Sequence, residues 1–573
     1  MKMDKKKRGT WSRRDLIRVG SLATVAGVVG GGSTESMLAA PIDTTFELFG
    51  LGGKAAATPL ALGHQIYESI GVYPFINAKN TNTIIGAAIA RPVVHKAMDA
   101  AGLHNVQLDE LAMGVGQRLA ELTGAEWGMV SAGCAAGLKL VTIGILSGGD
   151  PERLVRIPDL TGFEKTEVII PTSSRNVYDH AVRNAGVKVI MVDTPEELAN
   201  AINPRTAMIY LSANSRAPLT VEVVAKIAKP RNIPILADAA GHSLTLPNVH
   251  LAQGATVVAY SGGKVLKGPA CAGLLLGRKD VLMAAWQASA HHHGPGRDNK
   301  LGKEEHIGML AAVEAWMTMD HTAEMKMWNS WLDNIAKRVS GIESVKTNIR
   351  QPPPTLIDHV TPYLTISWDP AKLNITGQDA ADELGSTKTR PRIALLAGTG
   401  GRDAGGGAAA AGTESITVAA YMMQPGDDSI VADRIYELLS RKRSQIPQVT
   451  MKAPAANLVG RWDVTVEFFC GKSEHTFFIE KQDGNWLRGS HKGTFAVREL
   501  VGSIEANDVK FKSIYRIPGD AITSIFYGTL SGDTMSGNLD MGEYLTGKFT
   551  AKRFIYPTGP TPIVVPTGPP QAS

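Results

Sequence analysis

A chain of 573 residues, 44% hydrophobic and 20% charged, has material for three to four domains with large cores, which excludes wholesale disorder. Its formal charge of +5 is concentrated: residues 1–18 hold eight basic side chains against Asp4 and Asp15, a net of +6, so the other 555 residues sum to about −1. That near-neutral body gives no reason to expect a nucleic-acid partner. Three cysteines, Cys134, Cys271 and Cys470, exclude a disulfide framework and a paired-cysteine zinc site.

In chain order, the basic run leads into Ser12-Arg13-Arg14-Asp15-Leu16-Ile17-Arg18 and then sixteen uncharged residues, Val19 to Thr34, rich in Gly, Ala and Val. Sixteen are too few for a membrane span of about 20. The stretch resembles a twin-arginine export signal, which implies passage through the twin-arginine translocation machinery and a periplasmic or extracytoplasmic location. Proteins using that route fold before crossing, often around a cofactor. Residues 1–40 are assigned to this signal region.

From Ile66 to about Trp316, short apolar runs alternate with amphipathic helical patterns: Gly128–Val130, Val168–Ile170, Val187–Val192, Ala207–Leu211, Ile233–Ala237, Thr256–Tyr260 and Gly273–Leu276. Continuous rather than alternating apolar character predicts strands buried on both faces, hence an α/β domain with a mainly parallel sheet. It is assigned to residues 59–320, with an N-terminal arm. Residues 321–444 predict a smaller α+β unit, with helices at Thr322–Ser340 and Ser429–Arg441, an extended Tyr363–Trp368, and a Gly/Ala-rich loop at Gly398–Gly412. Residues 445–457 read as a linker. Over 458–556, short strand-like runs separated by turns such as Asp483-Gly484-Asn485 and Ser531-Gly532-Asp533 predict an antiparallel β-barrel or sandwich. Its aromatics Trp462, Phe468, Phe469, Phe477, Phe478 and Trp486 are expected in its core. Residues 557–573 form a Pro-rich tail, expected to be disordered.

Three segments of the large domain carry chemistry. Ser131-Ala132-Gly133-Cys134 stands at a strand end before a helix, where small residues let backbone N–H groups approach an anion. Asp238 ends the apolar strand Ile233–Ala237, the place where ligands bind in parallel sheets. Ser261-Gly262-Gly263-Lys264 follows the next strand. Each alone has an ordinary structural reading: a small-residue helix start, a helix N-cap, a solvated turn. Together, an anion cradle, a strand-end acid and, 26 residues later, a strand-end lysine follow the order used to hold pyridoxal 5′-phosphate. His291-His292-His293 suggests a metal, but three adjacent side chains converge poorly on one ion, so no metal is expected.

With Ile76-Asn77-Ala78, Leu108-Asp109-Glu110-Leu111, Leu122 to Glu126, Tyr178 to Arg183, Gly273 to Asp280 and Gly302-Lys303-Glu304-Glu305, these segments resemble the fold-type I pyridoxal-phosphate enzymes of the selenocysteine synthase (L-seryl-tRNA(Sec) selenium transferase) and D-glucosaminate-6-phosphate ammonia-lyase group, over about residues 64–443. The resemblance implies Lys264 as the Schiff-base lysine, Asp238 as partner of the pyridine nitrogen, and Ser131, Gly133, Cys134 and Ser261 around the phosphate. Arg175, Tyr178 or His180 is implied to lie over the ring. Arg216 is a candidate for a substrate carboxylate, and Arg297 and Lys300 are weaker candidates for an anionic substrate group. Ala270-Cys271 and Gly241-His242 depart from the group's usual residues, which implies altered substrate contacts. The activity implied is α,β-elimination or β-replacement on a small-molecule amine, an amino acid or amino-sugar acid, by a homodimer or higher homo-oligomer. An aminotransferase or aldolase is the runner-up. Selenium transfer to tRNA is disfavoured by the neutral body, the lack of a preceding tRNA-binding domain and the export signal. The non-enzyme alternative is an exported protein that binds a ligand or partner through the barrel.

Overall fold

The computed structural model describes residues 60–63, 65–214, 216–355, 357–399, 412–444 and 451–556, with Gly559 and Gly568. The signal region, most of the Gly/Ala-rich loop, the first half of the linker and nearly all of the Pro-rich tail lie outside the described residues. Among those described, no helix is long and apolar enough to cross a membrane.

Seven strands build the large sheet: β1 (Trp127–Ser131), β2 (Glu167–Pro171), β3 (Lys188–Val192), β4 (Thr206–Ser212), β5 (Ile235–Asp238), β6 (Val257–Ser261) and β7 (Gly273–Gly277), in the order β1-β7-β6-β5-β4-β2-β3. Strands β6-β5-β4-β2-β3 are parallel, and β7 runs antiparallel to both of its neighbours. The apolar runs sit where continuous hydrophobicity requires: β1, β2 and β7 are buried at every position. Helix α1 (Leu108–Thr123) covers one end of the sheet, its first turn capped by the Gln107 side chain and carrying Asp109 and Glu110 at the positive end of its dipole. Helix α2 (Cys134–Ser147) is apolar on nearly all sides and buried, with Leu138, Leu140, Val141 and Ile143 inaccessible. Gly144 permits that depth, since a Cβ there would lie 2.7 Å from the Ala285 backbone nitrogen.

Helices α3 (Lys303–Thr318) and α4 (His321–Val339) lead into the small domain. Its antiparallel sheet joins β8 (Lys346–Arg350), β9 (Tyr363–Trp368), β10 (Leu396–Ala397) and β11 (Glu414–Ala419) in the order β10-β11-β9-β8, and α5 (Asp427–Ser440) packs with α4. Phe75–Asn77 pairs in parallel with Arg392–Ala394, so the segment after the arm belongs structurally to this domain.

The C-terminal unit is a closed barrel of eight antiparallel strands in sequence order: β12 (Gly460–Glu467), β13 (Lys472–Asp483), β14 (Trp486–Lys492), β15 (Val497–Glu505), β16 (Asp508–Ile517), β17 (Asp520–Ser531), β18 (Thr534–Asp540) and β19 (Thr546–Arg553). Closure removes the sheet edges, and at eight strands the lumen is narrow enough for side chains to fill. Trp462, Phe477, Phe511, Phe526 and Phe549 fill it. The other aromatics expected in the core are outside. Phe478 faces away because it alternates with Phe477, and Phe468, Phe469 and Trp486 stand at strand ends or on the outer wall. Trp486 is 66% exposed.

Candidate functional site

The sheet register brings the three chemical segments together. Ser131 of β1 lies opposite Gly273 of β7, which lies opposite Ser261 of β6, while Asp238 of β5 pairs between Ser212 and Ala259. Segments 107 and 26 residues apart in sequence therefore end at one rim of the sheet. That is the rim where an α/β sheet binds its ligand.

Gly133 turns the chain from β1 into α2 with φ of 88°, a left-handed conformation suited to glycine, and no side chain caps the helix that follows. The opening N–H groups of α2 are thus left to an anion. The Gly273 Cα faces this turn so closely that a Cβ would lie 2.5 Å from the Gly133 carbonyl carbon. The Ser131 hydroxyl donates to the Gly133 carbonyl at 2.9 Å and the residue is 2% exposed, so it braces the cradle instead of lining it. Cys134 is also turned inward, its thiol 3.7 Å from Asp238 Oδ1. Burial first, and then the Asp238 charge, push that thiol well up, which leaves it a neutral donor. Both residues, expected around the phosphate, stand in the cradle, with the Ser131 side chain on the Gly133 carbonyl and that of Cys134 on Asp238.

Asp238 is held by three donors: the Tyr210 hydroxyl on Oδ2 at 3.0 Å, the Ala240 N–H on Oδ1 at 3.1 Å, and Cys134. A carboxylate offers about four lone-pair sites, so one on Oδ2 remains for a donor from outside. Tyr210 is fully buried and its hydroxyl is pushed up by burial and by Asp238, which keeps its proton available for donation. Lys264 follows β6 in a turn of close backbone contacts, where a Cβ on Gly263 would sit 2.8 Å from the Ala270 Cα.

Of the three residues expected over the ring, only Tyr178 is aimed at the lysine, with Lys264 Nζ 5.9 Å from its ring centre. Arg175 is taken up by Asp179 (Nε to Oδ2, 2.5 Å) and by the Pro518 carbonyl (3.2 Å), so its guanidinium is not free to stack. His180 starts a four-residue helix on the surface. Lys300 lines a cavity of about 360 Å³ with Ala132, Gly133, Cys271, Gly302 and Glu305, beside the anion cradle. Arg216 and Arg297 are exposed, and nothing in their geometry draws them into the site.

Two features escaped sequence reading. Tyr210 sits in an apolar strand and gave no signal. Asp358 and His359, in the connection before β9, reach the acid's strand end: His359 Nδ1 lies 2.6 Å from Asp358 Oδ1, and a Cβ on Gly241 would strike the His359 ring. Burial raises Asp358, but the His359 hydrogen bond and the charges of His359, His242 and Lys264 outweigh it and lower the group.

Two of the three adjacent histidines do converge. His291 and His292 place Nε2 3.0 and 3.3 Å from the oxygens of Asp109, which also accepts from Trp286 at 2.8 Å. Burial raises Asp109, but hydrogen bonds from Gln107, Trp286 and His291, with the His291 charge, outweigh it and hold the group at about 2. The set is closed on itself, and both Nδ1 atoms are buried without the partner that orients a metal-ligating imidazole.

Residues 112–320 match the family model described as Cys/Met metabolism PLP-dependent enzyme. The chain is 27% identical over 301 residues to D-glucosaminate-6-phosphate ammonia lyase of Salmonella typhimurium, covering 50% of this chain and 78% of that protein. It is 27% identical over 300 residues to 5′-C-glycyluridine monooxygenase-decarboxylase of a Streptomyces species, covering 50% and 73%. A solved D-glucosaminate-6-phosphate ammonia-lyase shares the fold with a TM-score of 0.57 and 23% identity, over 66% of this chain and 99% of that one.

Proposed function

Taking the chain as a fold-type I pyridoxal-phosphate-dependent enzyme of the lyase and transferase class, we propose that it catalyses α,β-elimination, or the related β-replacement, on an amino acid or amino-sugar acid. The observation that carries this reading is the pairing of a strand-end lysine with a carboxylate that three donors fix in place and one lone pair leaves open. The similarity to an ammonia lyase supports elimination over transamination.

The residues fit the cofactor. The uncapped start of α2 behind Gly133 would hold its phosphate, Asp238 its ring nitrogen, Tyr178 would cover its face, and Lys264 would hold it covalently. When bound, pyridoxal phosphate supplies an electron sink for the bond broken beside the substrate nitrogen. Asp238 orients the ring through its open lone pair. Lys264 Nζ, half-buried at the strand end, would take the proton from the substrate α-carbon, passing it to the departing β-group in elimination and returning it to the α-carbon in replacement. Tyr178 keeps water from the reacting face. Lys300, beside the cradle, offers its charge to an anionic substrate group.

Tyr210→Phe removes a hydrogen bond to the half-buried Asp238 charge, an interaction of roughly 1.5–3 kcal/mol. The expected result is a kcat lowered by about tenfold or more with KM nearly unchanged, checked by steady-state kinetics. An unchanged kcat removes Tyr210 from the site.

The test of the function is a panel of amino acids and amino-sugar acids incubated with purified protein. Ammonia released without an amino acceptor is the expected result, and amine transfer that requires a keto-acid acceptor overturns the lyase reading. Export through the twin-arginine pathway remains part of the proposal on the strength of Ser12–Arg18, as does a homo-oligomeric state. Fractionation of the producing cell and sedimentation of the active protein test them.

A further inference from the structure

The barrel lies outside the region that the family model matches, which ends at residue 320, yet it touches the cofactor site. The hairpin turn between β16 and β17, Pro518-Gly519, rests on Arg175 and Asn176. Pro518 accepts a hydrogen bond from Arg175 Nη2 at 3.2 Å. Gly519 has φ of 84°, and a Cβ on it would lie 2.9 Å from the Asn176 nitrogen, 3.1 Å from its oxygen and 3.2 Å from the Arg175 carbonyl carbon. Two backbones meet there with no room for a side chain.

The segment beneath that turn has little order of its own. Between Thr172 and Arg183 it consists of two three-residue 3-10 turns and one four-residue helix. Elements so short form only where tertiary contacts hold them. Asn176 lies at the branch point of those contacts. Its side chain accepts from the Tyr178 N–H at 2.8 Å, and its own N–H donates to the fully buried Asp179. A path from the barrel thus leads through Asn176 to Tyr178, whose ring lies beside Lys264.

We propose that the Pro518-Gly519 turn is a positioning element of the cofactor site: the barrel clamps the Arg175–Asp179 loop in the conformation that places Tyr178 beside Lys264. The accessory barrel is then part of the catalytic unit. This rests on the cofactor reading and is independent of whether the reaction is elimination, replacement or transamination.

The experiment compares two strained glycine turns of the same barrel in the full-length protein. Gly519→Val thrusts a side chain into Asn176. Gly532→Val alters a turn with φ of 58° and no atom within 4 Å of the added Cβ. Each variant is titrated with pyridoxal phosphate, and the visible absorbance of the bound cofactor is followed against pH. Gly519→Val is expected to bind the cofactor about tenfold more weakly, since ordering the loop must then be driven by the ligand, and to shift the pH midpoint of the absorbance. Gly532→Val is expected to match wild type in both. Equal behaviour of the two variants overturns the clamp while leaving the cofactor reading intact, whereas a wild type that takes up no pyridoxal phosphate overturns both. If Gly519→Val does not fold, Arg175→Lys decides: it keeps a charge for Asp179 and loses the second donor to Pro518, so unchanged affinity and spectrum overturn the proposal.

Discussion

Lys264→Ala is expected to abolish borohydride-fixable retention of pyridoxal phosphate while leaving the fold intact. Among the described residues, Lys264 is the lysine whose amine faces the Tyr178 ring, and the turn that carries it is set by backbone contacts of Gly262 and Gly263 that an alanine at 264 leaves in place. The wild type should show visible absorbance that borohydride bleaches, with the label recovered on the peptide containing Ser261–Lys267. The variant should show no covalent label, and its turnover should fall by about 10²–10⁴-fold from the lost proton transfer alone. Added cofactor should restore little of that rate, because the missing group is both the attachment point and the base. A label that persists in Lys264→Ala, on Lys267 for example, would move the attachment point and sink this assignment. Lys267 is a useful internal comparison. It is three residues away but turned to Glu324 at 3.2 Å, and burial lowers it despite that partner.

The large domain was legible in the sequence because buried parallel strands advertise themselves. Each of the seven apolar runs became a strand of the large sheet within about two residues of its expected ends. What one sequence could not supply was the side-chain side of the site. Ser131 and Cys134 occupy the expected turn, yet their side chains point to a carbonyl and to Asp238, a difference of rotamer that spacing does not encode. Tyr210 looked like one more apolar residue in β4, and Asp358 and His359 belong to a connection with no periodicity. The segment Phe75–Asn77, after the arm, pairs with a strand more than 300 residues away, which no local pattern reveals. In the barrel, Gly502 and Gly537 interrupt the alternation of β15 and β18. Both glycines stand where a neighbouring strand presses in, with Lys510 and Tyr527 carbonyls 2.4 and 2.1 Å from any added Cβ. The packing that needs these glycines is what hides the strands.

The same barrel should weaken in mild acid, and a single buried histidine accounts for much of it. His491 is fully buried within the lumen, edge-on to Phe477 and Phe526. Arg498 Nε lies 3.2 Å from its Nδ1, and arginine can only donate, so Nδ1 accepts and the proton sits on Nε2, directed at His475 Nδ1 2.9 Å away. Burial foremost, then the charge of Arg498 and the neighbouring His475, lower His491 from 6.5 to about 3. His475 is lowered too, by burial and then the Arg498 charge, against the opposing charge of Glu474. An unfolded chain takes up a proton near 6.5 that the folded barrel refuses until about 3. The stability contributed by the neutral ring is therefore fully present above about 6.5 and is lost as pH falls through that value toward 3. Each group contributes at most about 1.4 kcal/mol per pH unit, so between pH 7 and pH 5 His491 alone should cost the barrel about 2 kcal/mol. Hydrogen exchange of peptides from β13 and β14 at pH 7, 6 and 5, corrected for intrinsic exchange rates, measures this locally within the full-length protein. His491→Gln keeps a donor and an acceptor but cannot titrate. It is expected to be less protected than wild type at pH 7 and to lose much less protection on acidification, with the residual slope belonging to His475. Protection of the wild-type strands that does not change between pH 7 and pH 5, or an equal slope in His491→Gln, would place the acid sensitivity elsewhere. Since the β16–β17 turn of this barrel rests on the loop that carries Tyr178, a barrel loosened by acid should also weaken cofactor binding, and that loss should be smaller in His491→Gln.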